Sequence, residues 1–159
     1  MTKKIPVTTG TGTGDTSLSA FDAALFSAGI ANYNLIRLSS VIPEGFEPQI
    51  EQVDFNGQEF GYKLYVVTAS ETQTEVGKEA WAGIGWVVTE SEPKKGLFVE
   101  HHGYDKTEVE EAIKSSLTNM VTYRAEKYGP IQFKLSGIKC EGKPVCALVA
   151  AIYESEGWK

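Results

Sequence analysis

The chain has 159 residues, enough for one domain with a core of its own and too few for two large ones. Apolar residues make up 42% and charged residues 23%, the balance of a globular protein rather than of a disordered or membrane-embedded one. The net charge of −6 argues against nucleic acid, which needs a basic face, and suits a cationic ligand, because a negative field concentrates cations.

The charged start Met1-Thr2-Lys3-Lys4 is not followed by an apolar run, and no stretch is long and apolar enough to span a bilayer. The expectation is a cytoplasmic protein without signal peptide or membrane anchor. Cys140 and Cys146 flank the turn-like Glu141-Gly142-Lys143-Pro144. That spacing admits a disulfide, but in the cytoplasm a reduced pair is expected, and two cysteines alone cannot build a structural zinc site.

Lys4 to Thr8 reads as a short strand. The glycine-rich Thr9 to Asp15 lacks the Lys-Ser/Thr of a phosphate-binding loop and the glycine spacing of a dinucleotide fingerprint, so it reads as a flexible connection. Ser17 is placed to cap a helix over Leu18 to Ala28, with Leu18, Phe21, Leu25 and Ala28 on one stripe and Gly29 ending it. Asp22 lies at the border of that stripe. Tyr33 to Leu38 is a strand leading into Ser39-Ser40, and Val41-Ile42 continues extended ahead of Pro43.

Glu44 to Asn56 is polar and reads as a loop. Strands follow over Phe60 to Ala69, Ala80 to Thr89 and Gly96 to His101, with Gly83 and Gly85 allowing close approach. Thr107-Glu108-Val109-Glu110 is a capping-box pattern opening a long helix, roughly Lys106 to Tyr128. Its stripe is Val109, Ile113, Leu117 and Met120, and Gly129-Pro130 stops it. Ile131 to Ile138 and Val145 to Tyr153 read as a closing hairpin. With no repeat or linker, the pattern predicts one α+β domain over residues 1–159: a sandwich of mainly antiparallel sheet with helices packed on the faces.

A peptide bond between two small hydroxyl residues at a strand end is open to attack by the second hydroxyl, although such a pair more often just ends the strand. The wording around Ser39-Ser40 adds to this. Ser19-Ala20-Phe21-Asp22-Ala23-Ala24-Leu25, Ala28-Gly29-Ile30, Asn34-Leu35-Ile36-Arg37 and Ser39-Ser40 before Pro43 together resemble the pyruvoyl-dependent arginine decarboxylases. Gly96-Leu97-Phe98-Val99-Glu100 with Gly103, and Cys146 to Tyr153, fit later blocks of that family in the same order. The chain departs from the family pattern at Ala31, where the family often has glycine, and at His101 and His102, where it often has an aromatic residue and a second acid.

The resemblance implies a self-processing enzyme. Ser40 would attack the Ser39 carbonyl, split the chain into residues 1–39 and 40–159, and become a covalent pyruvoyl group that forms a Schiff base with L-arginine. Carbon dioxide and agmatine would be the products. Asn34 would support the attack, Glu100 would return a proton, Asp22 would face the guanidinium and Leu25 would line the substrate's apolar stem. The family assembles as trimers with active sites between subunits, so a homotrimer or a multiple of one is implied, with no nucleic-acid or membrane partner.

Without the resemblance these residues read more plainly: Asp22 as a solvated helix acid, Glu100 as an exposed strand-end acid, Asn34 as an asparagine bonding nearby backbone. Glu100 does follow the apolar Leu97-Phe98-Val99, and burial there would raise its pKa, as a proton donor near neutral pH requires. His101 and His102 are adjacent on a strand and point to opposite faces, so no shared metal is expected, though one of them could face the pocket and tune Glu100. Two alternatives remain: the same chemistry on lysine or ornithine, and a processing-dead homologue that serves as a binding or structural subunit.

Overall fold

The first strand, β1 (Lys3–Thr13), runs straight through the glycine-rich stretch expected to be a loop. The glycines serve close packing. They lie beneath the first helix, α1 (Ser17–Ala28), where a Cβ on Gly10 would meet the Ala24 carbonyl oxygen at 2.2 Å and one on Gly12 the Ala24 nitrogen at 2.4 Å. The cap of α1 is Thr16 rather than Ser17: Thr16 Oγ1 accepts from the Ser19 N–H at 3.0 Å, and Ser19 Oγ accepts from the Thr16 N–H at 3.0 Å. Gly29 closes the helix in the left-handed conformation, φ 82°, as its position predicts.

The computed structural model describes residues 2–159. After α1 come β2 (Asn34–Arg37), β3 (Val41–Ile42), β4 (Phe46–Ile50), β5 (Lys63–Gln73), β6 (Glu79–Val88) and β7 (Gly96–Gly103). Then follow α2 (Lys106–Thr122), β8 (Gln132–Lys139) and β9 (Val145–Glu156). One sheet has the order β2-β5-β9-β1-β4 and the other β3-β7-β6-β8. Pairing is antiparallel except at β1 with β4 and β2 with β5. This is the expected single-domain α+β sandwich.

Three layers of core hold it. Ile5, Val7, Ile42, Ile84, Trp86 and Phe98 fill the space between the sheets. Ala20, Ala24, Leu64 and Leu148 pack beneath α1, and Leu97, Val99, Ile113 and Leu117 pack beneath α2. Cys140 belongs to the layer between the sheets and Cys146 to the layer beneath α1, and both thiols are free.

The structure corrects four further expectations. The polar stretch after Pro43 contains β4, parallel to β1. Pro48 cannot donate to a ladder, which is tolerable on the edge strand that β4 forms. Helix α2 stops at Thr122, six residues short of Tyr128. The apolar stripe lapses there, Arg124 Nη1 donates to the Met120 carbonyl at 2.8 Å, and Tyr128 forms a bridge to Thr89 instead. Its cap is Asp105, whose carboxylate accepts from the Glu108 N–H at 2.9 Å, not Thr107. Finally, β8 and β9 are not a hairpin. β8 pairs with β6 at the edge of one sheet, while β9 lies between β5 and β1 in the other. Residues 145–152 are buried without interruption, so β9 needs cover on both faces and the centre of a sheet, whereas half-exposed β8 suits an edge.

Candidate active site

The chain changes sheets at the two serines. Leu38, just past β2, still donates its N–H to the Val66 carbonyl at 2.8 Å, and Val41 already pairs with Leu97 in the other sheet. Ser39 and Ser40 are in transit and belong to neither ladder. Ser39 is exposed and Ser40 half-buried.

The backbone after the Ser39-Ser40 bond is firmly held. The Phe98 N–H on β7 donates to the Ser40 carbonyl at 2.7 Å. The Tyr153 hydroxyl on β9 donates to the Val41 carbonyl at 2.8 Å. Phe98 is fully buried, with ring centroids 6.2 Å from Trp86 and 6.1 Å from Tyr153, so both donors stand on packed core.

Glu100 lies two residues after Phe98 on β7 and therefore on the same, inner face. The residue as a whole reaches solvent at the open rim of the sandwich, yet its carboxyl is crowded enough that desolvation raises its pKa, against a smaller lowering from a backbone hydrogen bond. Burial, with the Glu100 charge adding to it, pushes the Tyr153 hydroxyl up to about 12. The carboxyl is thus easier to protonate than a free one, and the phenol beside it keeps its proton.

The histidines part as their adjacency predicts. His101 turns outward, its Nε2 2.8 Å from Ser116 Oγ on α2, and burial followed by the His102 charge lowers its pKa. His102 turns inward with Glu100, its Nδ1 2.9 Å from Glu71 Oε1 on β5. Among the described residues no three His, Cys, Asp or Glu side chains cluster to hold a metal ion.

The remaining candidates lie apart from the serines within one chain. Asn34 opens β2, and four extended residues carry it about 13 Å from Leu38. Its Nδ2 donates to the Gly61 carbonyl at 2.8 Å, an oxygen that also accepts from Trp158 Nε1 at 2.8 Å. Asp22 is exposed on α1, across the first sheet from the inter-sheet core. Leu25, expected along the substrate's stem, is 9% exposed and packs with Ala24, Ala28 and Ile30 beneath α1. Within the chain Ser40 is hydrogen-bonded to Phe98, two residues before Glu100 on β7, while Asp22, Leu25 and Asn34 lie elsewhere.

Sequence reasoning missed the donors around the serines. The Phe98 amide carries no sequence signal, because any residue supplies it. Tyr153 does: it is the first side chain with a polar tip after the apolar run Val145 to Ile152, and a tyrosine ending a buried strand usually directs its hydroxyl at a partner.

Residues 4–156 match the family model described as pyruvoyl-dependent arginine decarboxylase. A protein of that name from Thermoplasma volcanium is 35% identical over 101 residues, which cover 64% of this chain and 56% of its own. Its namesake from Pyrococcus furiosus is 34% identical over 140 residues, 87% of each chain. The chain therefore spans little more than half the length of the Thermoplasma relative and most of the Pyrococcus one. A solved pyruvoyl-dependent histidine decarboxylase is a more remote likeness, 14% identical, with a TM-score of 0.44 over 58% of this chain and 51% of that one.

Proposed function

Because the chain belongs to the pyruvoyl-dependent arginine decarboxylase family, we propose that it cleaves itself between Ser39 and Ser40 and then decarboxylates L-arginine to agmatine and carbon dioxide. The observation that carries this reading is the position of the pair, outside both ladders, with the carbonyl of Ser40 fixed by the Phe98 N–H. The cleavage balances as follows. Ser40 Oγ adds to the Ser39 carbonyl carbon and the Ser40 nitrogen leaves it, turning the amide into an ester. Loss of the Ser40 Cα proton and of the Ser39 carboxylate frees residues 1–39 and leaves a dehydroalanine. Water then replaces its nitrogen, ammonia departs, and residue 40 ends as a pyruvoyl group at the head of residues 40–159.

The residues around Ser40 fit such a group: β3 follows it immediately, and the Phe98 amide already faces the carbonyl of residue 40. When formed, the group supplies a ketone that captures the substrate amine and a conjugated carbonyl that takes up the electron pair released with carbon dioxide. The protein's own residues do the rest. The Phe98 N–H stabilises negative charge on the carbonyl of residue 40. Glu100, whose pKa burial raises, gives a proton to the carbon that carbon dioxide leaves.

Asp22, exposed and with its carboxylate free to form two parallel bonds, binds the guanidinium. Leu25 backs the helical turn that presents Asp22, and so shapes the stem side of the pocket. The separation of Asp22 and Asn34 from Ser40 within one chain supports a site completed by a neighbouring subunit, in a homotrimer or a multiple of one. The two free, buried thiols suit the reducing cytoplasm. Among the described residues no helix is long and apolar enough to cross a membrane.

Intact mass under denaturing conditions tests the reading. Two fragments that break between Ser39 and Ser40, the larger lacking its amine, are expected, followed by faster turnover of arginine than of lysine or ornithine. A single chain after long incubation would refute the cleavage. Equal turnover of the three amino acids would refute the choice of arginine.

A further inference from the structure

The hydroxyl of Tyr153 reaches 2.8 Å to the Val41 carbonyl, and nothing in the decarboxylation itself requires that bond. Strand β3 has only two residues and meets β7 at Val41 with Leu97 and Ile42 with Gly96. The Val41 side chain is 61% exposed, so side-chain packing does not hold the start of this strand. Two backbone carbonyls do: that of Ser40, bonded from β7, and that of Val41, bonded from β9. Successive carbonyls of an extended chain point to opposite sides, so one bond alone lets the peptide roll about its axis and the two together stop it. The donors also come from different sheets, which ties the orientation of the segment to the stacking of the sandwich.

We propose that Tyr153 is a positioning residue for self-cleavage: by holding the Val41 carbonyl it fixes the peptide after Ser40 and so aims Ser40 Oγ at the Ser39 carbonyl carbon. The inference rests on the function proposed above. Tyr153 acts through the backbone and touches neither the broken bond nor the substrate. Its ring is braced on Phe98 at 6.1 Å, and its hydroxyl, pushed up to about 12, remains a donor throughout the working pH range. An intramolecular attack loses its rate advantage quickly when the reacting atoms are allowed to wander.

The test follows cleavage by intact mass in the full chain for the wild type, Tyr153→Phe and Tyr65→Phe. The first variant keeps the ring on Phe98 and removes only the hydroxyl. The second removes a comparable hydroxyl bond, to Glu156 Oε1 at 2.7 Å, from β5. Tyr153→Phe is expected to melt with the wild type and to cleave at least tenfold more slowly, while Tyr65→Phe cleaves at the wild-type rate. Hydroxylamine, which splits the Ser39-Ser40 ester once it exists, should leave Tyr153→Phe intact, because the defect precedes the ester. Tyr153→Phe cleaving at the wild-type rate, accumulating an ester that hydroxylamine splits, or slowing no more than Tyr65→Phe would each overturn the role of Tyr153 alone. A wild-type chain that never cleaves would overturn the proposed function, and this inference with it.

Discussion

Glu100 and Tyr153 approach each other from different sheets, one on β7 and one on β9, closely enough that the charge of the first helps to keep the second protonated. The relationship has a direction: an ionised Glu100 opposes ionisation of Tyr153, while burial of Glu100 opposes its own. Burial thus makes Glu100 easier to protonate than a free carboxyl, and Tyr153 keeps its proton throughout the working pH range.

Glu100→Gln should separate the two reactions. Self-cleavage, which uses Ser40, proceeds, and turnover of arginine falls by about 10²- to 10⁴-fold, the range for loss of a positioned proton donor. Single-turnover kinetics on the cleaved variant check this. A variant that keeps wild-type turnover removes Glu100 from the mechanism.

The same carboxyl sets a pH dependence. Its folded pKa is raised, so the folded state binds the proton more tightly than the unfolded chain does. Stability from this group is fully present below the unfolded pKa and declines as pH rises through the folded one. Thermal melts of wild type and Glu100→Gln from pH 4 to 8 should therefore diverge, with the wild type losing ground as pH rises. Turnover limited by protonated Glu100 should decline over the same upper range.

Asp22→Asn should leave cleavage intact and raise KM for arginine. A bond between charged groups contributes about 1.5–3 kcal/mol, so roughly a 10- to 150-fold effect is expected. Lysine turnover should change less. If Asp22 serves a neighbouring subunit, mixing Asp22→Asn with Glu100→Gln chains restores activity above either alone, because some mixed sites carry both intact residues. Mixtures no more active than their parents would place both residues in one chain's site.

Gly12→Ala tests how α1 sits on the sheet. The added Cβ would fall 2.4 Å from the Ala24 nitrogen and 2.5 Å from the Ala20 carbonyl oxygen, both backbone atoms that cannot swing aside. Overpacking of this kind costs about 1–3 kcal/mol, and a lowered Tm should report it.

What the sequence revealed and what it hid divide along physical lines. Helix α1 was legible in its extent because its cap region and Gly29 are local signals, but its stripe was misplaced: Leu18 is 77% exposed and the buried face is Ala20, Ala24, Leu25 and Ala28, alanines that carry little hydrophobic signal. Ser39-Ser40 was legible as a small polar pair at a strand end. The partners of β8 and β9 were not. Proximity in sequence argues for a hairpin, but which sheet a strand joins depends on burial supplied by residues far along the chain, such as Glu79 to Val88 for β8 and Lys63 to Gln73 for β9. Gly10 and Gly12 misled because a glycine chosen for close approach looks, in one dimension, like a glycine chosen for a turn. Glu100 was legible as an acid after an apolar run, whereas Tyr153 gains its meaning only from Val41, 112 residues away.

In the first sheet, β1 lies between β9 and β4, and β2 pairs with β5. A break after Ser39 would therefore leave both strands of the shorter piece paired within a sheet whose other strands belong to the longer one, with α1 packed on its face. Neither piece keeps a complete core alone. The processed protein would then be an obligate partnership of two polypeptides joined by burial, hydrogen bonds and the ion pairs Lys4–Glu51 and Asp15–Lys143. Its refolding, once intramolecular, then depends on concentration, so dilution after denaturation should strand the processed molecule where the intact precursor recovers.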